Sequence, residues 1–184
     1  IYLDTSTKNL SLALSDKDEV LIARNYKLDK KMSSGIIPKI DHLLKQVGWQ
    51  MNQLDGFIVG LGPGSFTSLR IGLATIKGFA YVSQKPVIGI SSLDAIAAHP
   101  KIPSGQICVI DDAKRNFLYS CLYEKINGVV TRKGEYELLG IEKLLESVSG
   151  DIYFIGDGVG IFKASIKQAA GNGRWQACAD SKRS

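Results

Sequence analysis

Apolar and polar positions follow one another in an order that repeats along the chain. "IYLDT" (1–5) reads as a buried strand, "LSLALS" (10–15) alternates as a second, and "VLIARNYKL" (20–28) supplies a third after the polar turn "DKDE". Next, Ile36, Ile37, Ile40, Leu43, Leu44 and Val47 fall on the spacing that lays one apolar stripe along a helix, with Ser33 or Ser34 as its cap and Gly48 as its stop. The strand "GFIVGLG" (56–62), a glycine-rich turn, a helix from Phe66 to Gln84, the strand "PVIGIS" (86–91) and a short helix "SLDAIAAH" (92–99) complete this set.

The break "PKIPSG" (100–105) opens a second set on the same template. "QICVIDD" is a buried strand ending in acid, and "FLYSCLYE" and "VVTRKGEYEL" are the second and third strands. "IEKLLESV" is a helix, "IYFIGDG" a strand running into glycines, and "VGIFKASIKQAA" a helix. Each half therefore gives three strands, a helix, a strand ending at glycines and another helix. Residue identity between the halves is negligible, so the repeat is one of pattern and predicts two like lobes, residues 1–100 and 106–184, in an α/β fold.

The turn "GLGPGSFTSLRIG" (60–72) enters the second helix. Helix N-termini attract anions, and glycine lets the backbone come close, so Asp4, Thr5 and Ser6 with Gly62, Gly64 and Ser65 form a candidate phosphate-binding pair of loops. The turn lacks the Lys-Ser/Thr of a Walker loop, and Pro63 removes a donor. A strand-to-helix turn capped by Ser65 or Thr67 accounts for the same residues. On the helix itself, Leu69, Leu73, Ile76 and Ala80 make one apolar line and Ile71, Ala74, Gly78 and Val82 a second, with Arg70 and Lys77 between. A helix apolar around most of its circumference needs cover on more than one side, which predicts an interface with another polypeptide.

Charge and chemistry narrow the function. The 184 residues carry 23 Lys and Arg against 18 Asp and Glu, a net charge of +5 that is scattered apart from Lys27, Lys30 and Lys31 and the tail residues Arg174, Lys182 and Arg183. Neither group is interleaved with aromatics. Cys108, Cys121 and Cys178 form no Cys-x-x-Cys pair, which fits a reduced, cytoplasmic protein, and no apolar run reaches a membrane span. The two histidines, His42 and His99, are far apart and join no ligand cluster, so no protein-built metal site is expected. Asp111 and Asp112 are adjacent and face opposite sides of a strand. Asp157, in "GDGVG", reads as a helix cap or a magnesium ligand. No catalytic residue is assigned.

The stretches "LDTSTKNLSLAL", "IIPKIDHLL", "GPGSFTSLRIGLATIKGFA" and "PVIGISSLDAIA" resemble the TsaB (YeaZ) family, over about residues 1 to 160. The resemblance implies the actin, sugar-kinase and chaperone-ATPase superfamily with two ribonuclease-H-like lobes. It also implies a non-catalytic subunit of the complex that forms threonylcarbamoyladenosine in tRNA; the alternatives are an ATP-binding enzyme of the same superfamily, which Asp4, Thr5, Ser6 and the glycine loops would suit, and, behind it, a metal-dependent glycoprotease-like peptidase. Such a subunit pairs with TsaD as a heterodimer through its two N-terminal-lobe helices, is joined by TsaE, and meets tRNA indirectly through the complex, direct tRNA contact being left open. A homodimer is left open when TsaD is absent. Carried onto this chain, the pairing surface would use Ile36, Ile37, Ile40, Leu43, Leu44, Arg70, Ile71, Ala74 and Gly78. No cofactor would be tightly bound, with ATP or ADP expected at the interface of the complex and nucleotide binding by the isolated chain left open. Ser68 stands where the family usually has Gly, Met32 where many members have His, and "DDAKRNFLY" is a loose version of the usual Asp-Ala-Arg segment. The end "CADSKRS" lacks the final Pro-x-Tyr-Leu-Arg-like segment, so the second lobe reads as shortened.

Overall fold

The structure is a computed structural model that describes residues 1–27, 32–99, 102–169 and 175–177, the side chains of 32–34 and 175–177 excepted. Lys30, Lys31, Arg174, Lys182, Arg183 and Cys178, with Pro100 and Lys101 of the inter-lobe break, lie outside the described residues. The chain divides into two compact units, Ile1–Ser92 and a second from Leu93 onward.

In the first unit β1 (Tyr2–Asp4), β2 (Asn9–Asp16) and β3 (Glu19–Lys27) form an antiparallel meander. Helix α1 (Met32–Gln46), strand β4 (Phe57–Gly60), helix α2 (Phe66–Ser83) and strand β5 (Val87–Ile90) follow. β4 lies parallel to β1, and β5 parallel to β4, giving the strand order β3-β2-β1-β4-β5. The helix crossovers make parallel pairing sterically available. α1 begins at Met32, so Ser33 and Ser34 sit inside its first turn and are not its cap.

The second unit repeats the plan. After α3 (Ser92–Ala97) come β6 (Gly105–Lys114), β7 (Phe117–Ile126), β8 (Val129–Arg132), β9 (Glu137–Gly140), α4 (Ile141–Ser147), β10 (Ile152–Ile155), α5 (Gly158–Ala169) and β11 (Trp175–Ala177). The order β11-β10-β6-β7-β8 matches the first sheet strand for strand. The two-lobed α/β class read from the pattern is the one observed.

Two local readings change. The ten-residue third strand "VVTRKGEYEL" is two strands, because the amides of Lys133 and Gly134 both donate to the Leu122 carbonyl and turn the chain there. β8 then pairs with one half of β7 and β9 with the other. Helix α3, assigned from the pattern to the first lobe, packs Leu93, Ile96 and Ala97 among Ile107, Val109, Cys121 and Tyr123, so it belongs to the second unit's core.

Candidate functional site

The glycine-rich turn between β4 and α2 meets the end of β1 at close range. Asp4, almost wholly buried, accepts hydrogen bonds from the Ser6 amide (2.6 Å), the Ser92 hydroxyl (2.8 Å) and the Tyr2 hydroxyl (3.0 Å). A Cβ added at Gly60 would lie 2.7 Å from both carboxylate oxygens of Asp4. One added at Gly64 would overlap the Ser6 carbonyl oxygen and lie 2.7 Å from its carbon. The Ser65 amide donates to that same carbonyl at 3.1 Å, and the Ser92 amide donates to the Gly62 carbonyl at 2.8 Å. Ser65 caps α2 as expected, its hydroxyl accepting from the Ser68 amide. Thr5 donates to the Ser68 carbonyl at 2.8 Å, which fastens β1 to the first turn of α2.

These contacts bring Asp4, Thr5, Ser6, Gly62, Gly64 and Ser65 into one place, as the sequence reading grouped them. The glycines at 60 and 64 are already required by the approach of one chain segment to another. The Ser6 hydroxyl is buried without a hydrogen-bond partner among the described residues. It remains an open donor for water or for an oxygen atom of a bound group.

The second unit carries the same joint. The Asp157 amide donates to Asp111 (3.1 Å), and the Asp112 amide donates to Asp157 (2.8 Å). A Cβ at Gly156 would lie 2.8 Å from Asp111 Oδ1. Asp111 is therefore the counterpart of Asp4, whereas the neighbouring Asp112 is mostly buried and pairs with Lys114. The Asp157 carboxylate bridges to β6, a role neither of the two readings of "GDGVG" contained. Among the described residues no three candidate metal ligands gather in one place, and no helix is long and apolar enough to cross a membrane.

Burial of Cys108 and Cys121 pushes both thiols above their ordinary range, so neither is an activated nucleophile. Tyr123 is likewise pushed up, first by burial and then by its 2.7 Å hydrogen bond to Asp94. Tyr136 donates to the same carboxylate at 2.8 Å, a two-tyrosine clamp on α3 that sequence spacing did not reveal.

The candidate partner surface divides. Ile36, Ile40, Leu43 and Leu44 are the correction: all four are between 0% and 4% exposed and form the first unit's own core with Leu3, Leu12 and Ile76. The α1 stripe packs against β2 of the sheet and against α2. Of the α1 candidates Ile37 alone is exposed, at 55%. It borders a groove of about 580 Å³ with Asp41, Lys45, Trp49, Met51 and Phe79. On α2 the two apolar lines take opposite sides. Ile76 and Ala80 are buried, Ile71 is half-buried, and Arg70, Ala74 and Gly78 are exposed, as are Phe66, Lys77, Tyr81 and Val82. Those exposed positions recur every three or four residues and make one outward stripe along about 24 Å of helix. Arg70 stacks on Phe66, 4.0 Å from ring centroid to guanidinium, and nothing stands within 4 Å of the place a Gly78 Cβ would occupy.

Comparison with known proteins places this geometry. Residues 27–177 match the family model described as TsaD, tRNA N6-adenosine threonylcarbamoyltransferase. The chain is 30% identical over 174 residues to the tRNA threonylcarbamoyladenosine biosynthesis protein TsaB of Bacillus subtilis, covering 93% of this chain and 76% of that protein. It is 26% identical to the protein of the same name from Escherichia coli, over 86% of this chain and 71% of the other. The solved structure of YeaZ from Pseudomonas aeruginosa superposes with a TM-score of 0.76 at 25% identity, over 88% of this chain and 77% of that one. The duplicated sheet order and the actin-like fold class agree with that likeness, and the chain belongs to the TsaB (YeaZ) family of tRNA threonylcarbamoyladenosine biosynthesis proteins.

Proposed function

We propose that this protein is a non-catalytic subunit in the formation of threonylcarbamoyladenosine in tRNA, and that it docks a TsaD-type partner on the outer stripe of α2. The observation that carries the reading is the exposure of that stripe: Phe66 67%, Tyr81 79% and Val82 83%, with Ala74 and Gly78 between them. Side chains so large and apolar, set beside small residues that admit a second helix closely, leave an area that association would remove from water. The partner helix would meet Ala74 and Gly78 at its nearest approach, with Arg70 and Lys77 at the rim and Ile37 of α1 beside it. Catalysis would then fall to the partner, with TsaE joining the assembled pair and any ATP or ADP held where the subunits meet.

Co-purification with the TsaD-type partner tests this directly. Ala74→Glu and Val82→Glu each place a charge on the exposed stripe without entering the core, so both variants should fold normally and lose the complex. Retention of the partner by both, at wild-type yield, removes α2 as the docking surface.

A further inference from the structure

The second unit presents a surface that the docking reading leaves unused. Side chains of β7 alternate between the faces of the sheet, so Phe117, Tyr119, Cys121 and Tyr123 share one face. Cys121 and Tyr123 are covered by α3, Tyr119 lies half-buried at the margin of that cluster, and Phe117 emerges beyond it, 49% exposed. β9 runs alongside, with Leu138 opposite Tyr119 and 59% exposed. Tyr136, 43% exposed, joins this face, because its hydroxyl and that of Tyr123 meet the same Asp94 carboxylate. The Arg132 guanidinium lies 4.5 Å over the Tyr136 ring. At the other end the β6–β7 turn carries Lys114, Arg115 and Asn116, all exposed and all in the left-handed region, with φ of 69°, 53° and 63°. The aromatics and the cations, dispersed between positions 114 and 138 of the sequence, are assembled only because β9 folds back on β7.

We propose that this face binds an unpaired segment of RNA. Exposed rings on a β-sheet give flat supports on which successive bases stack, and arginines among them neutralise the intervening phosphates. Most of the nearby acids are engaged or turned away, while Glu135 acts on Arg132. Asp94 receives both tyrosine hydroxyls, Asp112 pairs with Lys114, and Glu137 stands opposite Ser120, whose side chain points to the other face. A second protein would find less to match, since guanidinium groups flank the rings here, Arg115 at one end and Arg132 at the other. The choice of RNA over DNA rests on the family's place in tRNA modification. The surface itself does not depend on α2, so partner docking and RNA binding are tested separately.

Fluorescence anisotropy of a labelled, unstructured short RNA titrated with the full chain at low salt reads the interaction. Phe117→Ala and Arg115→Glu should each weaken binding by about fivefold or more, the lower end of what one lost stacking platform costs. Phe117→Trp should keep the wild-type affinity, and Val82→Glu, on α2, should leave it unchanged. An RNA duplex of equal length should compete poorly, because its bases are not free to stack. Melting followed by circular dichroism checks that the variants fold; both substituted side chains are exposed. The proposal is overturned by no anisotropy change up to about 100 µM protein, the weak end of non-specific binding. It is overturned equally if the duplex and Phe117→Ala match the wild type, which would mean attraction by charge alone.

Discussion

Two glycines of the same chain are expected to respond to alanine with opposite signs. At Gly64 the new methyl would overlap the Ser6 carbonyl oxygen and lie 2.7 Å and 2.8 Å from the Ser6 carbonyl carbon and Cα, all of them backbone atoms that no rotamer change can move aside. The turn must lift, which costs the Ser65 amide to Ser6 hydrogen bond and loosens the Ser92 amide to Gly62 bond. Two backbone hydrogen bonds at about 1 kcal/mol each, with about 1–3 kcal/mol for overpacking, give about 3–5 kcal/mol lost. At Gly78 nothing lies within 4 Å and the position is exposed in the interior of α2, so alanine should add about 1 kcal/mol through helix propensity alone. Urea unfolding read by Trp49, in a Trp175→Phe background, reports on the first unit separately. With a slope of about 2 kcal/mol per molar urea, Gly64→Ala should lower the midpoint by about 1.5–2.5 M and Gly78→Ala should raise it by about 0.5 M. A loss below about 1 kcal/mol at Gly64, or any loss at Gly78, refutes the close-approach account of the turn.

The core of the first unit and the tyrosine clamp of the second give two more tests. Ile40→Ala, at a residue 1% exposed, should cost about 2–5 kcal/mol in the same Trp49 assay while the folded fraction still captures the partner; loss of capture by fully folded protein would return α1's stripe to the interface. Tyr123 holds its proton more tightly folded than unfolded, so its stabilising contribution is complete below about pH 10 and declines as pH rises from there towards the folded value. Thermal melts from pH 8 to 11 should therefore show a steeper alkaline fall for the wild type than for Tyr123→Phe, and equal slopes would contradict the assignment.

Particular elements mark where the sequence was sufficient. The stripe of α1 and the alternation of β2 and β7 are written in local periodicity, because side-chain direction follows from backbone geometry within a few residues. The duplicated plan was legible for the same reason, since each half repeats the same succession of periods. The motif "GPGSFTSLRIG" carried the family. The outward line of α2 was visible as an apolar line in excess of what one covering surface needs.

What the pattern left undecided is what lies opposite each apolar line, since that partner can come from anywhere in the chain. Ile36 and Ile40 read the same whether they meet a sheet or another protein; the first unit's sheet supplies the cover, and they became core. The equivalence of Asp111 with Asp4 depended on which acid receives an amide across 46 residues of sequence. The break between β8 and β9 came from two amides bonding to one distant carbonyl. The placing of Phe117, Tyr136 and Arg132 on one face followed from it. Local period fixes which side of an element is apolar; only the long-range meeting of elements determines whether that side is closed or left open to a partner.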